Sequence, residues 1–129
     1  MHDLNLWAAL LAAVLSFVLG GIWYSPLTFG KPWMREAHIR ANQSNSTKTF
    51  AISFLFAVVA ALGFAYLLGP KPELQQSIHM ALLVGIAFVA ASYGVNYQFS
   101  QKSFLLLAID GGYHVAQFLI YAVILAVWH

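Results

Sequence analysis

The sequence predicts an all-α membrane protein: four transmembrane helices in a compact bundle, with a short interfacial helix on the cytoplasmic side. Three observations predict it. Of 129 residues, 61% are hydrophobic and only 8% are charged, far below the ~25% charged residues of a soluble domain. The apolar residues fall into four runs long enough to cross ~30 Å of hydrocarbon, which takes ~20 residues of helix. Turn signals separate the runs. Ten charged side chains cannot cover this much apolar surface in water, and four continuous spans are too few for a closed barrel. The length suits one domain, residues 1–129.

The first span runs over residues 4–24 and stops at Ser25-Pro26. A cleaved leader is not expected there, because Met1-His2-Asp3 carries no basic residue and no small-residue cleavage site follows. Lys31 to Arg40 reads as a short helix with Pro32 in its first turn. Its Trp33, Met34 and Ile39 suit the headgroup zone, and Lys31, Arg35 and Arg40 suit anionic lipid. Ala41 to Thr47 is a polar linker in which Ser46 or Thr47 can cap the next helix. Two glycosylation sequons fall here, at Asn42 and Asn45, and on a cytoplasmic loop they stay unmodified. The second span covers 50–68 and ends at Gly69-Pro70. The third covers 77–97. A polar turn, Gln98 to Lys102, leads to the fourth, 104–128.

Charge sets the orientation. Lys31, Arg35, Arg40, Lys48 and Lys102 lie on one side, and Lys71 alone lies on the other. The positive-inside rule then puts the loop 25–49 in the cytoplasm and both termini outside, in a bacterial inner membrane. Trp7 and Trp128 fall near the outer interface, with Trp23, Tyr24 and Trp33 near the inner one.

Small residues recur along each helix: Ala8, Ala12, Ser16 and Gly20; Ser53, Ala57, Ala61, Ala65 and Gly69; Ala87, Ala91 and Gly94; Ala108, Gly112 and Ala116. Helices in lipid associate through close van der Waals contact, which such ridges permit. They serve packing inside one bundle, or a homo-oligomer.

One residue breaks the apolar pattern. Asp110 is an acid within a membrane-length apolar run, and such a residue is expensive and by default a functional candidate. At 3.6 residues per turn, Asp110, His114, Gln117 and Tyr121 share a face, with Tyr113 beside it. His114, one turn on, is the nearest candidate partner for Asp110. Tyr93 and Asn96 of the third span sit at the depth of Asp110 and complete the polar intramembrane site. Gly111 and Gly112 permit close approach or a kink beside the acid. The stripe can fix helix register, or it can conduct or relay protons, small ions or solutes. A non-catalytic structural, lipid-binding or protein-binding module is the alternative. No nucleophile or oxyanion device marks an enzyme, and no cofactor is implied. Membrane lipid is the expected partner, with a second copy of the chain and a small ion or solute as further candidates. The basic residues are not spaced as a nucleic-acid surface.

No cysteine is present, so thiolate chemistry and Cys-based metal sites are excluded. His2, Asp3, His79 and His129 converge on the outer face in this topology. They are the candidate metal ligands, against the simpler reading of solvated terminal histidines, and no metal site is assigned.

Two stretches carry a family resemblance. Gly20-Gly21-Ile22-Trp23-Tyr24-Ser25-Pro26-Leu27-Thr28-Phe29-Gly30-Lys31-Pro32-Trp33-Met34 resembles the first signature of the domain of unknown function 1761 family of small bacterial membrane proteins. Asn96-Tyr97-Gln98-Phe99, Ala108-Ile109-Asp110-Gly111-Gly112-Tyr113 and Ala122 to Trp128 resemble its second. The resemblance implies a four-helix inner-membrane protein without an assigned activity. It also marks Trp23, Tyr24, Ser25, Pro26, Phe29, Gly30, Lys31 and Trp33 as the family motif. Ser100, Asp110 and Gly111 depart from the pattern, which often has Glu, Asn and Ala there. An amide that replaces Asp110 points to hydrogen bonding, more than ionisation, as the shared requirement.

Overall fold

A computed structural model describes residues 5–38 and 47–128. Every regular element among them is helical. In order they are α1 (Leu6–Trp23), α2 (Gly30–Ala37), α3 (Thr47–Leu68), α4 (Leu74–Phe99) and α5 (Phe104–Val127). Four of these, all but α2, are long and apolar enough to cross a membrane. Each span matches its sequence expectation within a few residues; α4 begins and ends further out than the apolar run. The linker residues 41–46, the sequons and the outer-face candidates His2, Asp3 and His129 lie outside the described residues. Thr47 is already inside α3.

The ends follow from local chemistry. Asn5 caps α1 by accepting from the Ala8 N–H at 3.0 Å, and its amide donates to the Trp128 carbonyl at 2.8 Å, which ties the two ends of the chain together. Gly69 closes α3 at φ 79°, a backbone state that favours glycine. Ser103 caps α5 by accepting from the Leu106 N–H at 3.1 Å. Within α4, residues Leu83–Ala90 form a π-helical stretch. Its wider turn rotates the following Tyr93 and Tyr97 relative to a regular helix.

Packing uses the small ridges. Ala8, Ala12 and Ser16 of α1 and Ala57, Ala61 and Ala65 of α3 are buried. Short side chains let these backbones approach, which is what helix association in lipid requires. Gly20 continues the α1 ridge and lies against the Tyr113 ring. The ridges of α1 and α3 are therefore used inside the chain. In contrast, Ala87 and Ala91 of α4 are exposed.

The order of helices decides where a site can form. α5 is the most enclosed span; it packs against α4 on one side and α1 on the other, and α1 in turn packs against α3. Phe64 and Phe118 meet edge-on at 5.4 Å and close the bundle between α3 and α5 toward the C-terminal ends of both helices. Toward the α2 end of the bundle, α3 and α4 stand apart, and a groove opens between them.

Candidate functional site

The family motif builds a compact turn. After α1 the chain reverses through Ser25 to Phe29. Phe29 N–H donates to the Trp23 carbonyl at 3.0 Å, and Gly30 N–H donates to the Ser25 carbonyl at 2.9 Å. The Ser25 hydroxyl donates to the Ile22 carbonyl and the Thr28 hydroxyl to that of Trp23, at 2.8 and 2.6 Å. These bonds satisfy helix-end carbonyls that would otherwise lack partners. A Cβ on Gly30 would fall 2.3 Å from the Tyr24 carbonyl oxygen, so only glycine fits. Phe29 packs on Trp23 with ring centres 4.9 Å apart.

This turn aims two aromatics, Trp23 and Tyr24, toward α5. Trp23 Nε1–H donates to the Ile109 carbonyl at 3.0 Å. Its ring rests on Gly112, where a Cβ would lie 3.2 Å from ring carbon Cζ2. Gly111 likewise admits Ala90 of α4 at 3.3 Å. The paired glycines thus serve close approach on two sides of α5. The Tyr24 hydroxyl donates to Asp110 Oδ1 at 2.7 Å.

Asp110 is 8% exposed. Its other oxygen, Oδ2, accepts from the Tyr97 hydroxyl. Two phenols, one from each neighbouring helix, therefore satisfy the acid. This overturns the expected Asp110–His114 pairing. A side chain one turn along a helix lies above its neighbour, but the helices packed on either side supply shorter reaches. Asn96, expected opposite Asp110, is exposed instead. Tyr97, next in sequence and rotated by a further ~100°, holds that place.

His114 belongs to a second network. Its Nδ1 bonds Gln117 Oε1, and its Nε2 lies 3.1 Å from the Tyr93 hydroxyl. Gln117 Nε2 donates to the Tyr121 hydroxyl at 2.6 Å, which donates to the Ala57 carbonyl at 3.0 Å. The directions follow from the chemistry. An amide oxygen only accepts, so Nδ1 carries a proton toward Gln117, and Nε2 pairs with the Tyr93 hydroxyl. Tyr93 also stacks on the imidazole at 5.1 Å. Tyr113 stands between the networks, packs edge-on against Tyr24, and donates to the Ser16 carbonyl at 2.9 Å. The structure therefore brings together all the stripe residues and Tyr93, in two circuits rather than one. The signal for Tyr24 and Tyr97 was depth: each lies at the C-terminal end of a helix that flanks α5, on the side where α5 begins.

The groove between α3 and α4 measures about 920 Å³, large against the ~300–1,000 Å³ of small-molecule sites. Its walls are mostly apolar, with Phe17, Phe50, Phe56, Val89 and Phe118 prominent. Tyr93, His114 and Gln117 form part of its lining, and Lys31, Trp33 and Met34 of α2 contribute to its rim. Trp33 is fixed there by an edge contact with Tyr24 at 5.0 Å. Outside the span, Glu36 of α2 pairs with Arg35 at 3.3 Å. Hydrogen bonds from Ser103 and Arg35 hold its carboxyl below the usual range. No group of three metal-ligating side chains occurs among the described residues, and His79 is exposed.

Four spans around a laterally placed groove define a small polytopic α-helical membrane protein. The chain belongs to the family described as protein of unknown function DUF1761, which matches residues 7–126. No curated protein and no solved structure matches it.

Proposed function

We propose that this chain is a non-conducting binding module of the bacterial inner membrane, which holds a membrane-dissolved amphiphile in the groove between α3 and α4. The groove itself carries the reading: an apolar slot at membrane depth with a few polar groups on its lining and a basic, aromatic rim. Sites of this composition suit a ligand with an apolar body and a polar end.

The alternative of proton or ion relay along the stripe is less well supported by the geometry. Both Asp110 oxygens are occupied by phenols. The His114 chain ends on a helix carbonyl, at Ala57. A peptide carbonyl does not take up a proton near neutral pH, so this path has no exit. The stripe reads better as the rigid back wall of the groove.

The charge bias puts both termini outside and α2 at the cytoplasmic surface, where the groove rim meets the headgroups. Self-assembly, if the chain uses it, falls to α4, whose Ala87 and Ala91 are exposed.

The test is extraction in mild detergent followed by native mass spectrometry. About one amphiphile is expected to stay with each wild-type chain. Gly21→Leu projects a side chain into the groove, since Gly21 lines it and a Cβ there meets nothing within 4 Å. That variant is expected to lose the ligand. Gly63→Leu, also unobstructed but outside the groove, is expected to keep it. Equal retention in both variants, or proton flux in proteoliposomes that Asp110→Asn abolishes, overturns the proposal.

A further inference from the structure

We infer that the occupant is an anionic amphiphile, a single- or double-chain molecule with a phosphate or carboxylate head. Its head lies against Lys31 at the rim, and its chain runs inward along Phe17, Val89 and Phe118. This rests on the groove being a binding site and adds the chemistry and direction of the ligand.

Three observations carry it. First, among the described residues Lys31 is the only Lys, Arg, Asp or Glu that lines the groove. An acidic or zwitterionic partner is favoured there, and a cationic one is repelled. Second, Lys31 has no ion-pair partner among the described residues. The ion pair among the described residues joins Arg35 to Glu36, and Lys31 is exposed with no carboxylate against it. A bare ammonium at a headgroup surface attracts anionic lipid.

Third, the polar groups deeper in the groove are already satisfied by one another. His114 uses both ring nitrogens, one of them with the Tyr93 hydroxyl, and Gln117 bridges His114 to Tyr121. Among the described residues the inner groove therefore presents no carboxylate or ammonium, and no imidazole nitrogen awaits a partner. An apolar chain enters without stranding a buried charge, whereas a charged head there meets no counter-charge. Between an ammonium at the rim and an interior whose polar groups already pair with one another, the head belongs at the rim. α2 holds Lys31 in place because Trp33, two residues on, is fixed against Tyr24.

The experiment uses the full chain in nanodiscs of zwitterionic lipid. Four photoactivatable probes share one diazirine-bearing alkyl chain and differ in the head: phosphate, carboxylate, hydroxyl or trimethylammonium. Adducts are mapped by peptide mass spectrometry. The anionic probes are expected to label groove residues about fivefold more than the hydroxyl probe, the factor one interfacial lysine supplies. Lys31→Gln is expected to remove that preference and leave hydroxyl labelling unchanged. The phosphate and carboxylate arms separate a phospholipid-like head from a fatty-acid-like one.

Equal labelling by all four heads, insensitive to Lys31→Gln but abolished by Gly21→Leu, overturns the anionic assignment and leaves the groove intact. Labelling that survives Gly21→Leu, or that spreads over the lipid-facing helix surfaces, overturns the groove itself.

Discussion

Tyr24→Phe removes one oxygen atom and little else. The ring remains against Trp33 and Tyr113, at centre distances of 5.0 and 5.6 Å, so the packing term is unchanged. What is lost is a 2.7 Å hydrogen bond to a carboxylate that is 8% exposed. A bond to a charged acceptor contributes ~1.5–3 kcal/mol, against ~0.5–1.5 kcal/mol for a neutral pair. In membranes the unfolded chain also finds partners, which favours the lower end. The expected loss is therefore ~1.5 kcal/mol with Asp110 present. With Asp110→Asn, the amide oxygen still accepts from Tyr24, while its N–H₂ meets Tyr97, whose hydroxyl reverses to accept. The same Tyr24→Phe change should then lower stability by only ~0.5 kcal/mol. The coupling between the two sites is ~1 kcal/mol, about a fivefold difference in the unfolding equilibrium. Reversible unfolding in mixed micelles, run on wild type, both single variants and the double variant, measures it. Equal effects of Tyr24→Phe in both backgrounds, within ~0.3–0.5 kcal/mol, would refute the view that the acid at 110 binds Tyr24 more strongly than an amide there would.

Gly30→Ala is expected to abolish accumulation of folded protein, because its Cβ meets backbone at 2.3 Å and has nowhere to move. Gly63→Ala meets nothing and should raise stability by ~0.5–1 kcal/mol through helix propensity; micelle unfolding compares the two. The Glu36 carboxyl is held below its ordinary range by Ser103 and Arg35. Its contribution to docking α2 is therefore fully present above the unfolded carboxylate pKa and is lost as pH falls through the lower folded value. Hydrogen exchange over Gly30–Ala37 should rise in that acid window, and Glu36→Gln should remove the pH dependence. A wild-type profile that is flat there would show that Glu36 does not hold the helix.

The two circuits around α5 change what a mutation at the small residues reports. Gly112 makes room for Trp23, and Ala12 is fully buried against its neighbours. Bulky substitutions at either position disturb the fold of one chain before they inform on contact between chains. The exposed Gly21 and Gly63 are cleaner probes, since the same substitution at each differs only in whether it enters the groove.

Apolar run length and punctuation determined the spans, because a membrane imposes one helix length and Gly-Pro, Ser-Pro and polar turns interrupt it. The stripe Asp110, His114, Gln117 and Tyr121 was legible for a similar reason: spacing on a single helix fixes a face. Partners were not. Asp110 bonds Tyr24, 86 positions away, and Tyr97 rather than Asn96. Which face of a neighbouring helix turns inward depends on its rotation, here after a π-helical stretch that no periodicity announces. The groove was illegible altogether. It exists because α1 and α5 pack on small residues while α3 and α4 stand apart, a matter of helix order around an axis. Sequence determined that an acid and a histidine lie one turn apart in the membrane. Tertiary structure decided that they belong to separate circuits, since each finds a better-placed partner on the helices beside it.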